Sequence, residues 1–200
     1  MPSRLDLNTG LGPILEGMAS RAVFLDRDGT LNHDPGYLSD PRELRLIPGV
    51  PDALRLLKDA GFLLVVVSNQ SGVGRGLIRP EALAQVHARM NALLVESGGP
   101  PLDCFEVCIH RPEDGCACRK PSPELLHRAA ASLKINIGAS YMVGDRRIDL
   151  EAGRAAGCRG SLLVRTGSGD LEEVLLHAPS AEGVIFDDLL AAARWIIGQR

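Results

Sequence analysis

The chain has 200 residues, of which 45% are hydrophobic, and its formal net charge is −3. This length and apolar content predict a single domain with its own core. The charge balance excludes a broad basic surface for nucleic acid or an anionic membrane, and no apolar run approaches the ~18 residues of a membrane-spanning helix.

Segments with strand and helix patterns alternate along the chain. In chain order they are a strand at 22–26, a helix at 50–60, a strand at 62–67, a helix at 80–97, a strand at 105–109, a helix at 122–133, a strand at 140–143, a helix at 148–156, a strand at 161–165, a weak helix at 170–177, a short strand at 183–186 and a helix at 187–198. This alternation predicts an α/β fold, namely a Rossmann-like, doubly wound parallel sheet with helices on both faces. No insertion is long enough for a large cap domain.

The first 20 residues precede this pattern, and we expect them to form an N-terminal extension to a single domain of residues 21–200. They lack the basic region and apolar core of a signal peptide, so a cytoplasmic protein is expected. Met18 leads directly into the first predicted strand and is therefore expected to lie closer to the functional start than Met1.

The first predicted strand ends in the segment Asp26-Arg27-Asp28-Gly29-Thr30. Two carboxylates two residues apart are costly to place at a strand end unless a cation and a phosphoryl group use their charge. An aspartate can form an aspartyl-phosphate intermediate, so Asp26 is the candidate nucleophile and Asp28 the candidate general acid and base. The alternative, for this segment taken alone, is a solvated turn after a strand.

Further polar segments fall at or beside the carboxyl ends of other predicted strands or just before a predicted helix. In an open parallel sheet, ligands bind beyond the carboxyl ends of the strands, so these segments should converge on one site. They offer hydroxyl and amide groups, two cations and an acidic loop. The residues concerned are Ser68, Asn69, Gln70, Ser71, Arg119, Lys120 and Asp145.

Four ordered motifs together resemble the haloacid dehalogenase superfamily of phosphohydrolases over roughly residues 21–167. They are D-x-D-G-T, a Ser at the second strand end, a Lys before a Pro, and G-D-x-x-x-D. The resemblance implies that Asp26 is the nucleophile and Asp28 the acid and base. It further implies that Ser68 binds the transferring phosphoryl group and that Lys120 neutralises it.

The resemblance also implies a catalytic Mg²⁺ ion. Its ligands would be Asp26, Asp145 and the backbone carbonyl of Asp28, with Asp149 supporting this set rather than joining it. Mg²⁺ takes hard oxygen ligands and keeps several waters, which suits such a site. The ion and Lys120 would offset the repulsion between an attacking carboxylate and a phosphate dianion.

A second cluster of candidate metal ligands is Cys108-Ile109-His110 followed, five residues later, by Cys116-Ala117-Cys118. Three thiolates and one imidazole form a closed tetrahedral set for Zn²⁺, which would make the zinc structural. The alternatives are a disulfide or free buried thiols, and a disulfide is disfavoured without a secretory signal. A zinc-stabilised loop here would hold the neighbouring cations of the site in place.

A zinc loop directly before Arg-Lys-Pro is similar to the subgroup that contains the heptose 1,7-bisphosphate phosphatases and the histidinol-phosphate phosphatases. Segments 34–50, 68–76 and 140–145 are similar to the heptose enzymes, and they imply a small sugar bisphosphate, with heptose 1,7-bisphosphate as the expected substrate. Arg146 is typical of the histidinol group, so histidinol phosphate is the alternative. A non-catalytic phosphate-binding module is the alternative from another class.

The segments 31–47, 71–79 and the zinc loop are expected to wall the site. Because Lys120 already serves the transferring phosphate, Arg119 and Arg146 are expected to bind a second anionic group. Arg75 and His33 are further candidates for substrate contact. A monomer acting on a small molecule, with no nucleic-acid or membrane partner, is expected. The candidate substrate-binding residues are Asp34, Pro35, Gly36, Tyr37, Ser68, Asn69, Gln70, Ser71, Arg119, Lys120 and Arg146.

Overall fold

The computed structural model describes residues 19–176 and 184–199. Its strands are β1 Arg21–Leu25, β2 Phe62–Asn69, β3 Cys104–Cys108, β4 Tyr141–Gly144, β5 Gly160–Val164 and β6 Val184–Phe186. They form one parallel sheet in the order β3-β2-β1-β4-β5-β6. This order confirms the predicted doubly wound α/β fold.

Helices connect the strands and cover both faces of the sheet. They are α1 Val50–Asp59, α2 Ser71–Gly74, α3 Pro80–Glu96, α4 Glu124–Leu133, α5 Arg147–Ala156, α6 Gly169–Leu176 and α7 Leu189–Gly198. One-turn 3₁₀ helices occur in the connections at Pro41–Glu43, Pro112–Asp114 and Ile137–Ala139.

Side chains along β1 alternate between two apolar clusters, one on each face of the sheet. Val23 and Leu25 belong to the cluster that includes residues of α1, α3 and α7. Ala22 and Phe24 belong to the cluster that includes residues of α4 and α5. All four are fully buried. Burial on both faces explains why this strand is a continuous apolar run rather than an alternating one.

The strand order places the polar segments of β1 and β4 side by side. β1 pairs with β2 on one edge and with β4 on the other, so the strand order changes direction between β1 and β4. Sheets of this kind bind ligands in the crevice outside that point. Asp26 follows β1 directly, and its backbone N–H donates to the carbonyl of Val143 in β4 at 2.9 Å. The fold therefore brings Asp26 next to Asp145.

Several element boundaries differ from the sequence prediction. β2 continues through Ser68 and Asn69, which the pattern places after the strand, because both residues pair with β3 opposite Val107 and Cys108. The segment 71–79, expected to be a loop, begins with the short helix α2. The last residue of the helix predicted at 170–177 and the first residue of the strand predicted at 183–186 lie outside the described residues. Residues 1–18 of the expected extension do too.

Within 19–176 and 184–199, no helix is both long enough and apolar enough to cross a membrane. The same residues contain no inserted cap domain. The connection between β1 and α1, at 26–49, carries one short 3₁₀ helix and supplies part of the wall of the site instead.

Candidate active site

Polar side chains meet at the carboxyl edge of the sheet, where they line a cavity of about 310 Å³. Most residues that the sequence assigns to the site belong to this lining, while Asp145 lies beside it and is only 1% exposed. Gly72, Ile148 and Asp149 complete the wall. The assigned residues that line the cavity are Asp26, Asp28, Asp34, Gly36, Tyr37, Ser68, Asn69, Gln70, Ser71, Arg119, Lys120 and Arg146.

Lys120 is a buried cation on the floor of this cavity. Its Nζ lies 2.6 Å from an oxygen of Asp26 and 2.6 Å from an oxygen of Asp149, and it donates to the carbonyl of Val67 at 2.7 Å. Burial alone would lower the pKa of Lys120, but the charges of Asp149 and Asp26 outweigh that effect and raise it. Lys120 is therefore positively charged at neutral pH and has a fixed position.

Asp145 lies next to Asp26, in a space that two glycines leave open. Its Oδ2 accepts a hydrogen bond from the backbone N–H of Ser168 at 2.8 Å. A Cβ on Gly29 or Gly167 would overlap this carboxylate, and both glycines have positive φ, 88° and 63°. The other oxygen, Oδ1, is buried and has no hydrogen-bond partner among the described residues. Burying such an oxygen is costly unless a ligand satisfies it.

Three carboxyl groups crowd around one ammonium group on the floor of the cavity. Asp26, Asp145 and Asp149 each offer an oxygen, and these oxygens lie within 4.8 Å of one another. Burial raises the pKa of Asp26 to about 8; Lys120 opposes this rise, and the neighbouring carboxylates add to it. Burial also raises the pKa of Asp145 to about 6. A divalent cation would keep both carboxylates ionised, so the cluster favours one.

The donor atoms of the cluster fit magnesium. Asp26 and the unpartnered oxygen of Asp145 are hard oxygen ligands of the kind that Mg²⁺ prefers. Asp149 differs, because one of its oxygens lies 2.6 Å from Lys120 and the other accepts from the backbone N–H of Arg146 at 3.0 Å. These contacts favour Asp149 as support for the ligands rather than as a ligand.

Asp28 has a carboxylate that is surrounded by hydrogen-bond donors. Arg27 donates to both oxygens, at 3.0 and 2.7 Å. Asn32 donates to Oδ1 at 2.9 Å, and Gln70 donates to Oδ2 at 2.8 Å. Burial alone would raise the pKa of Asp28, but the charge of Arg27 and the donated hydrogen bonds lower it below its usual range. Asp28 is therefore an ionised group held in one orientation.

The end of β2 faces the cavity and also supports the loop that carries Lys120. Ser68 lines the cavity and is 2% exposed. The side chain of Asn69 accepts from the backbone N–H of Lys120 at 3.0 Å and donates to its carbonyl at 3.1 Å. The backbone N–H of Gln70 donates to the carbonyl of Cys108 at 2.7 Å. The end of β2 thus connects the floor of the cavity to the cysteine-containing loop.

Two arginines and a tyrosine form the outer half of the cavity. One terminal nitrogen of Arg119 is buried without a hydrogen-bond partner among the described residues. Arg146 reaches across the opening to Asp34, at 3.5 Å. Tyr37 stands at the rim with 49% of its surface exposed. This half can therefore offer guanidinium groups to an anion and an aromatic face to a sugar.

Three residues expected near the substrate do not line the cavity. Pro35 is exposed at the tip of a turn, where the backbone N–H of Gly36 donates to the carboxylate of Asp34 at 2.8 Å. Arg75 pairs with Glu113 at 3.2 Å and so does not extend toward the site. His33 is exposed to solvent outside the lining.

A second cluster of metal-ligand side chains lies on β3 and the connection after it. Cys108, His110, Cys116 and Cys118 bring three sulfurs and a ring nitrogen within 4.8 Å of one another. Two sulfur–sulfur distances are 3.5 and 3.8 Å, and the ring nitrogen lies 3.7 and 3.4 Å from two of the sulfurs. Tetrahedral zinc, with bonds of about 2.3 Å to sulfur, would place sulfurs about 3.8 Å apart. A disulfide would need about 2.05 Å, so the spacing fits zinc and not a disulfide.

The sequence motifs do not indicate several residues that support the site from behind or beside it. Arg27, the middle residue of D-x-D, is 1% exposed and contacts His87 on α3 at 3.5 Å. His87 in turn stacks on Phe105, with ring centroids 4.3 Å apart. The side chain of Asn32 and the backbone of Ser168 donate to carboxylates of the site. Only Arg27 carries a signal in the sequence, because a cation between two carboxylates is available to pair with one of them.

Comparisons with known proteins are consistent with this geometry. Residues 117–192 match a family model described as "HAD-hyrolase-like". The chain is 41% identical over 191 residues to the D-glycero-D-manno-heptose-1,7-bisphosphate 7-phosphatase of Thermosynechococcus vestitus, covering 90% of this chain and 96% of the relative. It is 44% identical over 156 residues to the D-glycero-beta-D-manno-heptose-1,7-bisphosphate 7-phosphatase of Haemophilus ducreyi, covering 75% of this chain and 86% of the relative.

A solved structure shares the fold over almost the same length. It is a D,D-heptose 1.7-bisphosphate phosphatase from B. bronchiseptica, complexed with magnesium and phosphate. The two structures superpose with a TM-score of 0.82 at 34% sequence identity, and the match covers 90% of this chain and 99% of the other.

Proposed function

The chain belongs to the heptose-1,7-bisphosphate 7-phosphatase family of haloacid dehalogenase-like hydrolases, and on that premise we propose that it removes the 7-phosphate of D-glycero-D-manno-heptose 1,7-bisphosphate. The product would be heptose 1-phosphate, a precursor of nucleotide-activated heptose for lipopolysaccharide. The observation that carries the proposal is the convergence of Asp26, Lys120 and Asp145 beside the outer arginines.

Asp26 is the proposed nucleophile. One of its oxygens attacks the phosphorus of the 7-phosphate, the bond from phosphorus to the sugar oxygen breaks, and an aspartyl-phosphate forms. Lys120, whose Nζ lies 2.6 Å from Asp26, is placed to neutralise charge on the transferring group. Ser68 lines the same part of the cavity and would hydrogen-bond a phosphoryl oxygen.

Asp28 is the proposed acid and base. It would give a proton to the departing sugar oxygen and then take one from the water that hydrolyses the phospho-enzyme. The second step needs Asp28 in its ionised form, which is the form that its lowered pKa favours in the free site. For the first step it must be protonated, and the negative charge of an entering phosphate dianion raises the pKa of a neighbouring carboxyl.

Asp26, Asp145 and the backbone carbonyl of Asp28 would hold Mg²⁺. When bound, the ion would neutralise phosphoryl oxygens and orient them for in-line attack. The buried, unpartnered oxygen of Asp145 supports this assignment, as does the crowding of carboxylates around one ammonium group. Asp149 would hold Lys120 in place.

Arg119 and Arg146 are proposed to recognise the second phosphate of the substrate. A guanidinium can bind phosphate through two parallel hydrogen bonds. One terminal nitrogen of Arg119 has no hydrogen-bond partner among the described residues and can donate to a phosphate. Arg146 can do the same if its exposed ion pair with Asp34 is replaced by one with the phosphate. Tyr37 and Ile148 would contact the sugar between the two phosphates.

A structural zinc ion is proposed for Cys108, His110, Cys116 and Cys118. The four donors match a closed tetrahedral set, so no position remains for substrate. Its effect on catalysis would be indirect, because the same loop continues into Arg119 and Lys120.

The proposal is tested by a phosphate-release screen with Mg²⁺ and three substrates: heptose 1,7-bisphosphate, fructose 1,6-bisphosphate and histidinol phosphate. Highest kcat/KM is expected for the heptose bisphosphate, and the Asp26→Asn variant controls for contaminating phosphatases. Preference for histidinol phosphate would favour the alternative that Arg146 suggests. No release from any of the three would favour a non-catalytic phosphate-binding module.

A further inference from the structure

A chain of hydrogen bonds runs behind the catalytic side chains. It begins at Arg27, whose guanidinium donates to both oxygens of Asp28 and to Oε1 of Gln70, the latter at 2.9 Å. The Nε2 of Gln70 then donates to Asp28 at 2.8 Å and to the hydroxyl oxygen of Ser68 at 2.8 Å. Arg27, Gln70 and Ser68 are at most 5% exposed. The chain therefore connects the acid/base carboxylate to the hydroxyl at the end of β2.

The direction of each bond in this chain follows from the chemistry of the groups. An arginine side chain has donors only, so the atom of Gln70 that faces Arg27 must be the amide oxygen. The amide nitrogen of Gln70 must then face Asp28 and Ser68, and the hydroxyl oxygen of Ser68 acts as an acceptor. A hydroxyl has a single hydrogen, and no acceptor is recorded for it within the described part of the chain. That hydrogen is available to the cavity that Ser68 lines.

We propose that Arg27 and Gln70 are positioning residues that fix the direction of the Ser68 hydroxyl, so that its hydrogen points at a phosphoryl oxygen before the substrate arrives. This inference rests on the proposed function, because the phosphate contact of Ser68 comes from it. A donor that is already oriented needs no rearrangement when charge develops on the phosphoryl group. The Gln70 amide also holds Asp28, so one side chain orients two groups of the site.

A change at position 70 should reveal this direction. Gln70→Glu keeps an oxygen toward Arg27 but removes the donor, so the hydroxyl of Ser68 would turn to donate to the new carboxylate and present lone pairs to the phosphate. Gln70→Met removes both the acceptor oxygen and the donor nitrogen but keeps a side chain of similar length. We expect Gln70→Glu to raise the inhibition constant of inorganic phosphate by roughly 10- to 100-fold, the scale of one hydrogen bond to a charged group. Gln70→Met should raise it less.

The experiment compares six proteins in two double-mutant cycles, which share the wild type and the Ser68→Ala variant. Gln70→Glu and Gln70→Met are each made alone and in the Ser68→Ala background, with Mg²⁺ present. The measurements are kcat, KM for heptose 1,7-bisphosphate, the inhibition constant of inorganic phosphate and the melting temperature. The new carboxylate of Gln70→Glu also repels phosphate directly and repels Asp28, to which the Gln70 amide donates at 2.8 Å. Both effects occur without the Ser68 hydroxyl, so the Ser68→Ala background measures them separately. We expect the effect of Gln70→Glu on phosphate inhibition to be at least fivefold larger with Ser68 present than without it.

Equal effects in the two backgrounds, or inhibition constants that stay at the wild-type value in both Gln70 variants, would overturn the positioning role. If Gln70→Glu does not fold, the cycle with Gln70→Met decides by the same comparison, with an expected ratio of about threefold. A wild-type protein that is inactive on every phosphate of the screen would instead overturn the proposed function. The two failures are therefore distinguishable.

Discussion

The two candidate metal centres stand on different parts of the fold. The carboxylate centre lies at the ends of β1 and β4, where backbone pairing and buried contacts fix Asp26 and Asp145. The thiolate centre begins on β3, but three of its four donors lie on the connection to α4, where His110 is exposed. From this difference we expect the sheet to position the side chains of the first centre, whereas the loop of the second centre would depend on a bound ion. A metal site formed by a loop contributes its binding energy to folding.

The two centres are also joined at one place. Lys120 pairs with Asp26 on the floor of the cavity and follows the cysteine loop directly in the sequence. The side chain of Asn69 holds the backbone of Lys120 from the other side. Disturbance of the thiolate centre should therefore reach catalysis through the position of Lys120. Disturbance of the carboxylate centre should leave the loop unchanged.

The largest expected effect comes from the carboxylate centre. Asp26→Asn should lower kcat by more than ~10³-fold, because losing a nucleophile removes the covalent route. The zinc content and the melting temperature should stay near the wild-type values, since the fold of the loop does not depend on this oxygen. The measurements are single-turnover phosphate release, elemental analysis and thermal melting. Turnover near the wild-type rate, with contamination excluded, would contradict the assigned nucleophile.

The thiolate centre should show the opposite pattern. Cys116→Ser should lose the bound zinc, lower the melting temperature and reduce kcat by about 10- to 100-fold, because a small displacement of Lys120 is costly. The affinity for Mg²⁺ should change little, since none of its proposed ligands moves with the loop. The wild-type protein, purified in metal-free buffer, should carry one zinc per chain. Absence of zinc together with freely reactive thiols would argue for unliganded cysteines.

Arg119, the residue before Lys120, should affect the selectivity for substrates rather than the chemical step. Arg119→Ala should lower kcat/KM for the bisphosphate more than for a monophosphate, by roughly 1.5–3 kcal/mol, the scale of a charged hydrogen bond. The quantity to compare is the ratio of kcat/KM values for bisphosphate and monophosphate in wild type and variant. Arg111→Ala on the same loop is a suitable control, because Arg111 pairs with Asp114 and does not line the cavity. An unchanged ratio would mean that Arg119 does not contact the second phosphate.

The smallest expected effect concerns His87, which contacts Arg27 behind the carboxylate centre, and the pH dependence of stability. Burial and the charge of Arg27 lower the pKa of His87 to about 4, from its usual value of 6.5. The unfolded chain therefore binds more protons than the folded protein between these values, so stability falls as the pH drops from 6.5 toward 4. At pH 5, His87 should lower the free energy of unfolding by about 1–2 kcal/mol relative to neutral pH, after allowance for solvent screening.

The His87→Gln variant tests this pH dependence. It cannot titrate but keeps a hydrogen-bond acceptor near Arg27, so it should lose less stability than wild type between pH 7 and pH 5. Urea unfolding at the two pH values gives the comparison. Parallel losses in both proteins would show that His87 does not stay neutral in the folded state.

The sequence by itself predicted the alternation of strands and helices along the chain, apart from the short helix α2, and it named the candidate residues of both centres. Apolar runs of strand length end at polar segments, and these features are local in the chain. A parallel sheet then places the carboxyl ends of its strands at one edge, which is why Asp26, Ser68 and Asp145 could be assigned together. The cysteine and histidine spacing is equally local. The exact end of β2 was not predictable, because pairing with β3 extends that strand through Ser68 and Asn69.

The tertiary structure alone decided which side chains support these groups. The sequence assigned Lys120 to the site but did not predict its direct contact with Asp26, across 94 positions of sequence. The same is true of the contact between Gln70 and Asp28, across 42 positions. The G-D-x-x-x-D motif does not show that one oxygen of Asp145 is buried without a hydrogen-bond partner, because this depends on the surrounding residues. The direction of the Ser68 hydroxyl likewise depends on Arg27 through Gln70. Such relations arise from packing between distant segments, and no periodicity or spacing along the chain encodes them.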